Sequence, residues 1–252
     1  MKLSLCIDAI FFHTQASIST RLNMLGTANM RAFEFWDWWT KDLAQMQQAM
    51  AEHRLTCVAC CTRFISLVDA AKREAYLQGL AESIKVAQQL GCKTLISQVG
   101  DDLGIARADQ RQSLIEGLKA SVPLLENAGI KLVIEPLNTL VDHAGYYLTS
   151  SDEAFAIIDA VGSPHIKVLF DIYHQQISEG HVIQRIVDNI DKIGHFHAAG
   201  NPGRNELYRG ELNYHEIFRA IKAAGYEGYV GLEYFPLEEP LAGIRPFLSQ
   251  VD

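Results

Sequence analysis

The sequence predicts an α/β fold, a (β/α)8 TIM barrel forming a single domain over residues 1–252, and three observations carry that expectation. Eight short runs of β-forming residues recur along the whole chain, separated for most of its length by stretches with apolar residues at three-and-four spacing. The runs are nearly continuous in Val, Ile, Leu and aromatic residues, as strands of a parallel sheet covered on both faces must be. All eight fit within 252 residues, close to the usual length of a closed barrel. The alternative, an open doubly wound sheet, accommodates eight units in this length less readily.

The strand-like runs are residues 3–10, 32–35, 56–61, 94–99, 131–135, 167–170, 194–197 and 229–233. Helical spacing covers 43–51, 70–90, 110–128, 151–160, 183–190 and 214–224, while the first helix, after Phe12, is poorly marked. Gly91, Gly129 and Gly225 follow the last apolar positions of three helices, where a residue free to adopt positive φ ends the turn. Ser151-Asp152-Glu153 opens another, with acidic groups against the positive end of the helix. No linker or low-complexity tract divides the chain.

Composition narrows the function classes. With 22 Lys and Arg against 30 Asp and Glu, the formal charge is −8, which disfavours nucleic acid as a partner because phosphate binding needs a positive surface. No apolar run approaches the length that spans a bilayer, so no membrane partner is expected. Lys2 and the apolar residues after it imitate a signal peptide, but Asp8 interrupts the run and no cleavage site follows. Five cysteines make no even disulfide framework, which points to a reducing, cytoplasmic setting. Cys57 and Cys60 form a C-x-x-C without a second pair to complete a zinc site. Strand alternation sends Cys57 and Cys61 one way and Cys60 the other, as small buried hydrophobes. No phosphate-binding or dinucleotide fingerprint appears, so no nucleotide cofactor is expected.

In a barrel the C-terminal ends of the strands converge on one mouth, where polar residues are candidates for chemistry. The fifth strand ends in Glu135, the sixth in Asp171, the seventh in His197 and the eighth in Glu233, at separations of 36, 26 and 36 residues. Four successive strands would thus each deliver one ligand-type side chain to the same rim. Three carboxylates cannot crowd together unpaired, since like charges repel and raise one another's pKa. One divalent cation resolves the conflict, and oxygen-rich ligation with a single imidazole suits Mn²⁺ or Mg²⁺, with Co²⁺ as a further option.

The segments Glu135-Pro136-Leu137-Asn138, Phe170-Asp171-Ile172-Tyr173-His174-Gln175, Asn201-Pro202-Gly203-Arg204 and Gly210-Glu211-Leu212-Asn213-Tyr214 resemble the hydroxypyruvate isomerase family. That family lies among the xylose-isomerase-like barrels, together with ketose 3-epimerases of the D-tagatose 3-epimerase type. The resemblance runs from about residue 130 to 236. It implies a single divalent metal held by Glu135, Asp171, His197 and Glu233, with Glu135 and Glu233 also acting as the catalytic acid-base pair. It further implies a homo-oligomer and a small-molecule hydroxy-carbonyl or sugar substrate. His197 looks like the epimerase ligand, since hydroxypyruvate isomerases often carry Gln there. The epimerases' additional substrate-contacting Glu has no counterpart in Thr139-Leu140-Val141-Asp142-His143.

Three supporting residues complete the expected site. His174 would touch the substrate or orient a ligand, and the family places a functional His there. Arg204, in a Gly- and Asn-rich loop, could clamp a carboxylate or phosphate with its planar fork, and Asn138 would make a substrate-binding or supporting hydrogen bond. Gln98 and Asp101 end the fourth strand within reach of substrate, and Glu34 and Trp36 end the second. The aromatic cluster around Trp36, Trp38 and Trp39 is read as core or subunit contact. Arg209 is expected at the surface, and His195 on the strand face away from the mouth. The expected activity is isomerisation of hydroxypyruvate or a short sugar acid through an enediolate, with ketose 3-epimerisation as the alternative. A metal-dependent nuclease would need more histidines and a positive groove, and a noncatalytic sugar-binding barrel would leave the paired glutamates without a purpose.

Overall fold

The computed structural model describes residues 1–250, with side chains described to residue 247. Eight strands form a closed parallel barrel in sequence order: β1 (Lys2–Cys6), β2 (Ala32–Phe35), β3 (Thr56–Cys61), β4 (Thr94–Ser97), β5 (Lys131–Ile134), β6 (Ile166–Asp171), β7 (Ile193–Ala198) and β8 (Tyr229–Leu232). Pairing of β1 with β8 closes the ring. The helices are α1 (Ile7–Ile10), α2 (Ile18–Thr27), α3 (Leu43–His53), α4 (Arg73–Gln89), α5 (Arg107–Ala128), α6 (Ser151–Val161), α7 (Ile172–Ser178), α8 (Val182–Asp188) and α9 (Tyr214–Ala223).

Two apolar layers follow from strand alternation. Outward-facing residues such as Leu5, Phe33, Leu132 and Phe196 pack against the helices in one large core, while Ala59, Ile96, Val133 and Leu169 fill the barrel interior. Helix α9 shows how the outer layer is recruited: Tyr214, Ile217, Phe218 and Ile221 recur at three-and-four spacing and all are buried. Ser150 caps α6 by accepting from the Glu153 N–H, and Gly129 closes α5 at φ 62°.

Four local expectations change. The first strand stops at Cys6 and turns into α1, because the Asp8 carboxylate is pulled into the mouth by Lys41 at 3.0 Å, Arg21 at 3.4 Å and the Trp36 N–H at 2.8 Å. Helix α7 starts directly at the end of β6, capped by Asp171 itself. A register shift between β2 and β3 breaks the alternation near Val58. Cys57 and Cys60 therefore both join the outer core, and Cys61 faces the interior. His195 points inward as well: residues two apart on a strand share a face, so it lies beneath His197 rather than on the far side of the sheet. All five cysteines are buried and free. Among the described residues no helix is long and apolar enough to cross a membrane.

Candidate active site

Period-two alternation explains why one rim collects the charges. On β5 through β8 the interior positions read Val133 then Glu135, Leu169 then Asp171, His195 then His197, and Gly231 then Glu233. Each strand thus carries a filler one layer down and a polar ligand-type residue at the mouth. Glu135, Asp171, His197 and Glu233 are all buried, and one ligand atom from each lies within 4.8 Å of all the others. His197 Nδ1 lies 3.6 Å from Glu135 Oε1 and 3.4 Å from Glu233 Oε2.

Several atoms in this cluster lack ordinary partners. Among the described residues Glu135 Oε1 and His174 Nε2 make no hydrogen bond, and neither ring nitrogen of His197 makes one of good geometry. Such atoms are rare in a packed interior unless a ligand or ion satisfies them. The donor set of three carboxylates and one imidazole, with lone pairs left over and converging, fits a divalent metal ion.

The four residues are held differently. Glu233 accepts from Trp36 Nε1 at 2.6 Å and from Arg204 at 2.5 Å. Burial would raise its pKa, but His197 and Arg204 overcome that and hold it well below the usual carboxylate range. Asp171 Oδ1 is committed to the α7 N-terminus, accepting from the Tyr173 and His174 N–H groups at 2.8 and 3.3 Å. Burial, against the opposing pull of Arg204, pushes Asp171 up to about 7. The His197 imidazole is held well above its ordinary pKa; burial opposes this, and the charges of Glu233 and Glu34 prevail.

The structure places the supporting residues in distinct roles. His174 is buried, with Nε2 turned to Asp171 Oδ2 at 3.5 Å. Its Nδ1 lies 2.6 Å from Asn138 Nδ2 and 3.3 Å from the Asn138 N–H. Both are donors, so Nδ1 accepts and the ring proton sits on Nε2. Burial, aided by Arg204 and His143, keeps this ring neutral. Asn138 is itself enclosed: its amide also donates to Asp142, and its oxygen accepts from the Val141 and Asp142 N–H groups. It faces the imidazole and its own loop. Arg204, at φ 55° after the cis Asn201-Pro202 bond, reaches Glu233 and lies over the Tyr173 and Phe235 rings. Arg209 pairs with Glu206 and Glu238 at the surface.

Above the cluster lies a cavity of about 620 Å³, walled by Trp36, Phe64, Gln98, Leu137 and Tyr146. Glu135, His197, Glu233 and Arg204 form part of its lining, Cys61 faces it, and Lys72 stands on it too. Sequence reasoning passed over Lys72, Tyr146 and Phe64. Lys72 carried no signal, being one exposed Lys at the start of a helix. Glu34, placed at the mouth by sequence, sits one layer lower, with Ser4 Oγ at 3.0 Å, His195 Nε2 at 2.8 Å and His197 Nε2 at 2.7 Å.

A family model described as xylose isomerase-like TIM barrel matches residues 24–250. The chain belongs to that family. Among its relatives, the hydroxypyruvate isomerase of Escherichia coli is 35% identical over 175 residues, covering 69% of this chain and 67% of that protein. The 2-oxo-tetronate isomerase of Cupriavidus necator is 42% identical over 125 residues, 48% of each chain. This family member therefore spans about half to two thirds of the length of these two relatives. In structure it is similar to a protein named AP endonuclease, family 2, from Brucella melitensis, with a TM-score of 0.94 and 25% identity, covering 100% of this chain and 99% of that one. The resemblance to the hydroxypyruvate isomerase family among the xylose-isomerase-like barrels is borne out by the family model and these relatives.

Proposed function

We propose that the protein is a divalent-metal-dependent isomerase of small hydroxy-carbonyl compounds, with hydroxypyruvate or a short 2-keto sugar acid as substrate. The convergence of Glu135, Asp171, His197 and Glu233 within 4.8 Å of one another beneath an open cavity carries this reading. The isomerases among its relatives support it. Glu135, Asp171, His197 and Glu233 would hold the cation. When bound, a divalent cation supplies Lewis acidity to the substrate's carbonyl and adjacent hydroxyl oxygens.

The chain's own residues divide the proton transfers. Glu135 Oε1 faces the cavity without a donor among the described residues, so it is free to take the proton from the carbon beside the carbonyl. Glu233, held as a weak base by Arg204 and Trp36, takes the proton of the adjacent hydroxyl as that oxygen's charge develops and, as a weak base, returns it readily. Delivered to the former carbonyl carbon while the proton on Glu135 passes to the former carbonyl oxygen, that proton turns a ketone into an aldehyde. Delivered to the opposite face of the original carbon, it makes an epimer. Neutral His174 presents its Nε2 proton toward the site and donates to a substrate oxygen on which charge develops. For a carboxylate-bearing substrate the cavity offers two cations, Arg204 beside Glu233 and Lys72 on the opposing wall. The net charge of −8 and the single imidazole argue against a nuclease.

Proton NMR in D₂O with Mg²⁺ tests this on a panel of hydroxypyruvate, 2-keto sugar acids and free ketoses. Deuterium should enter next to a carbonyl and an isomer should accumulate; chelation should stop both and added Mg²⁺ restore them. Metal binding without exchange across the panel would overturn the isomerase reading, and exchange that survives chelation would overturn the metal requirement.

A further inference from the structure

We propose that Glu34 is a positioning residue for the metal-ligand set, acting through His197 from the layer beneath the mouth. The inference rests on the metal reading above. Glu34 is 1% exposed, inside a barrel where Ala59, Ile96, Val133 and Leu169 are apolar fillers and Ser4 and His195 are its polar neighbours. A buried carboxylate is costly unless paired, and an apolar filler would pack there at less cost. What it touches gives it a purpose. Its Oε2 accepts from Ser4 Oγ at 3.0 Å and lies 2.8 Å from His195 Nε2, while Oε1 lies 2.7 Å from His197 Nε2.

The two oxygens are thus divided. Ser4 and His195 anchor one, and the other confronts the ring that belongs to the mouth. Space for this is made on β8: a Cβ at Gly231 would come within 1.9 Å of Glu34 Oε1 and 2.6 Å of its Cδ. Strands β1, β2, β7 and β8 all contribute to holding one carboxylate in one place.

An imidazole has one proton to place when neutral, and a metal requires the other nitrogen free. Glu34 Oε1, at 2.7 Å, is the carboxylate oxygen nearest the ring; without a well-aligned hydrogen bond its charge still favours the proton on Nε2 and leaves the Nδ1 lone pair to the cluster, 3.4 Å from Glu233 Oε2 and 3.6 Å from Glu135 Oε1. Outer partners of this kind change metal affinity by about 10–100-fold when removed. Glu34 does not contact the cavity, so substrate binding offers no rival explanation for it.

The test is Mn²⁺ affinity measured by titration calorimetry, with the cobalt-loaded protein's visible absorption as a second readout. Glu34→Gln keeps the shape but can offer His197 a donor, and should weaken Mn²⁺ binding about 10–100-fold. Glutamine at 197 has no tautomer to set, so in a His197→Gln background Glu34→Gln should leave affinity within about twofold. An equal loss in both backgrounds, or no loss in the wild-type background, overturns the proposal. If Glu34→Gln fails to fold, Glu34→Asp, which keeps the charge but withdraws it from His197, is read in the same cycle and by the same criteria. Wild-type protein that takes up no Mn²⁺ overturns the metal reading itself, an outcome distinct from normal uptake that Glu34 substitutions do not alter.

Discussion

The two halves of the barrel share an architecture and divide the work. Strands β5 to β8 each place an ionisable residue of the mouth cluster at or next to their C-terminal end, whereas β2 to β4 supply walls: Trp36, Cys61, Ile96 and Gln98. The difference follows from what surrounds each rim position. In the second half four charges face one another and need a cation or a proton between them. In the first half Asp8 is already neutralised by Lys41 and Arg21, and Glu34 is withdrawn one layer. Chemistry and shape are therefore separable, so substitutions in the second half should act on turnover and metal binding, and those in the first on substrate preference.

The strongest way to break this division is to remove one charge from the acid-base pair. Glu135→Gln and Glu233→Gln should each lower kcat by about 10²–10⁴-fold in the deuterium-exchange assay, with the circular dichroism spectrum unchanged. Rates near wild type in either would show that turnover does not depend on the second half. Next in size is Asn138→Ala. Removing the closer of the two donors that fix His174, with the backbone N–H kept, should cost about tenfold in kcat with little change in KM, the pattern of a lost transition-state interaction. A change confined to KM would instead mean that Asn138 reads substrate.

Legibility in the sequence follows the same divide. Glu135, Asp171, His197 and Glu233 stand out because each is an ionisable residue closing a strand-like run, at spacings of about one βα unit. Glu34 has the same local appearance, but its depth is set by Ser4, His195 and Gly231, which lie 30, 161 and 197 positions away. His195 was legible and misread, since period-two alternation puts it on the same face as His197. The orientation of Cys57 was not legible, because the bulge near Val58 depends on pairing with a strand more than twenty residues away. Helix α7 was hidden by its immediacy: Asp171 ends the strand and caps the helix in one residue, leaving no loop to mark a boundary.

Lys72 sharpens the comparison from the other side. Lys72 lines the cavity, and among the described residues its one ion-pair contact is Asp69 at 3.9 Å, too long to occupy it fully. Lys72→Ala should raise KM about tenfold for a carboxylate substrate, the scale of one lost exposed charge contact. Neutral ketoses, kcat and Mn²⁺ affinity should be unaffected. Arg204→Ala, by contrast, releases Glu233 and should lower kcat for charged and neutral substrates alike. Identical profiles for the two variants would mean that the opposing walls do not differ in role.

The smallest expected effect distinguishes a wall kept for packing from one kept for substrate. Among the described residues Gln98 Oε1, which is buried, makes no hydrogen bond, and the amide nitrogen finds only Cys61 Sγ at 3.7 Å. An unsatisfied buried acceptor costs stability, about 1–3 kcal/mol, and Gln98→Met removes it at nearly constant volume. If packing were the reason for Gln98, the variant should be as active as wild type. If the oxygen waits for a substrate hydroxyl, stability and function should move in opposite directions: Tm rising by about 2–4 °C for each 1 kcal/mol recovered, and KM rising a few-fold. A thermal melt beside a KM measurement decides between them, since a residue that costs stability in the free protein and lowers KM belongs to the binding wall.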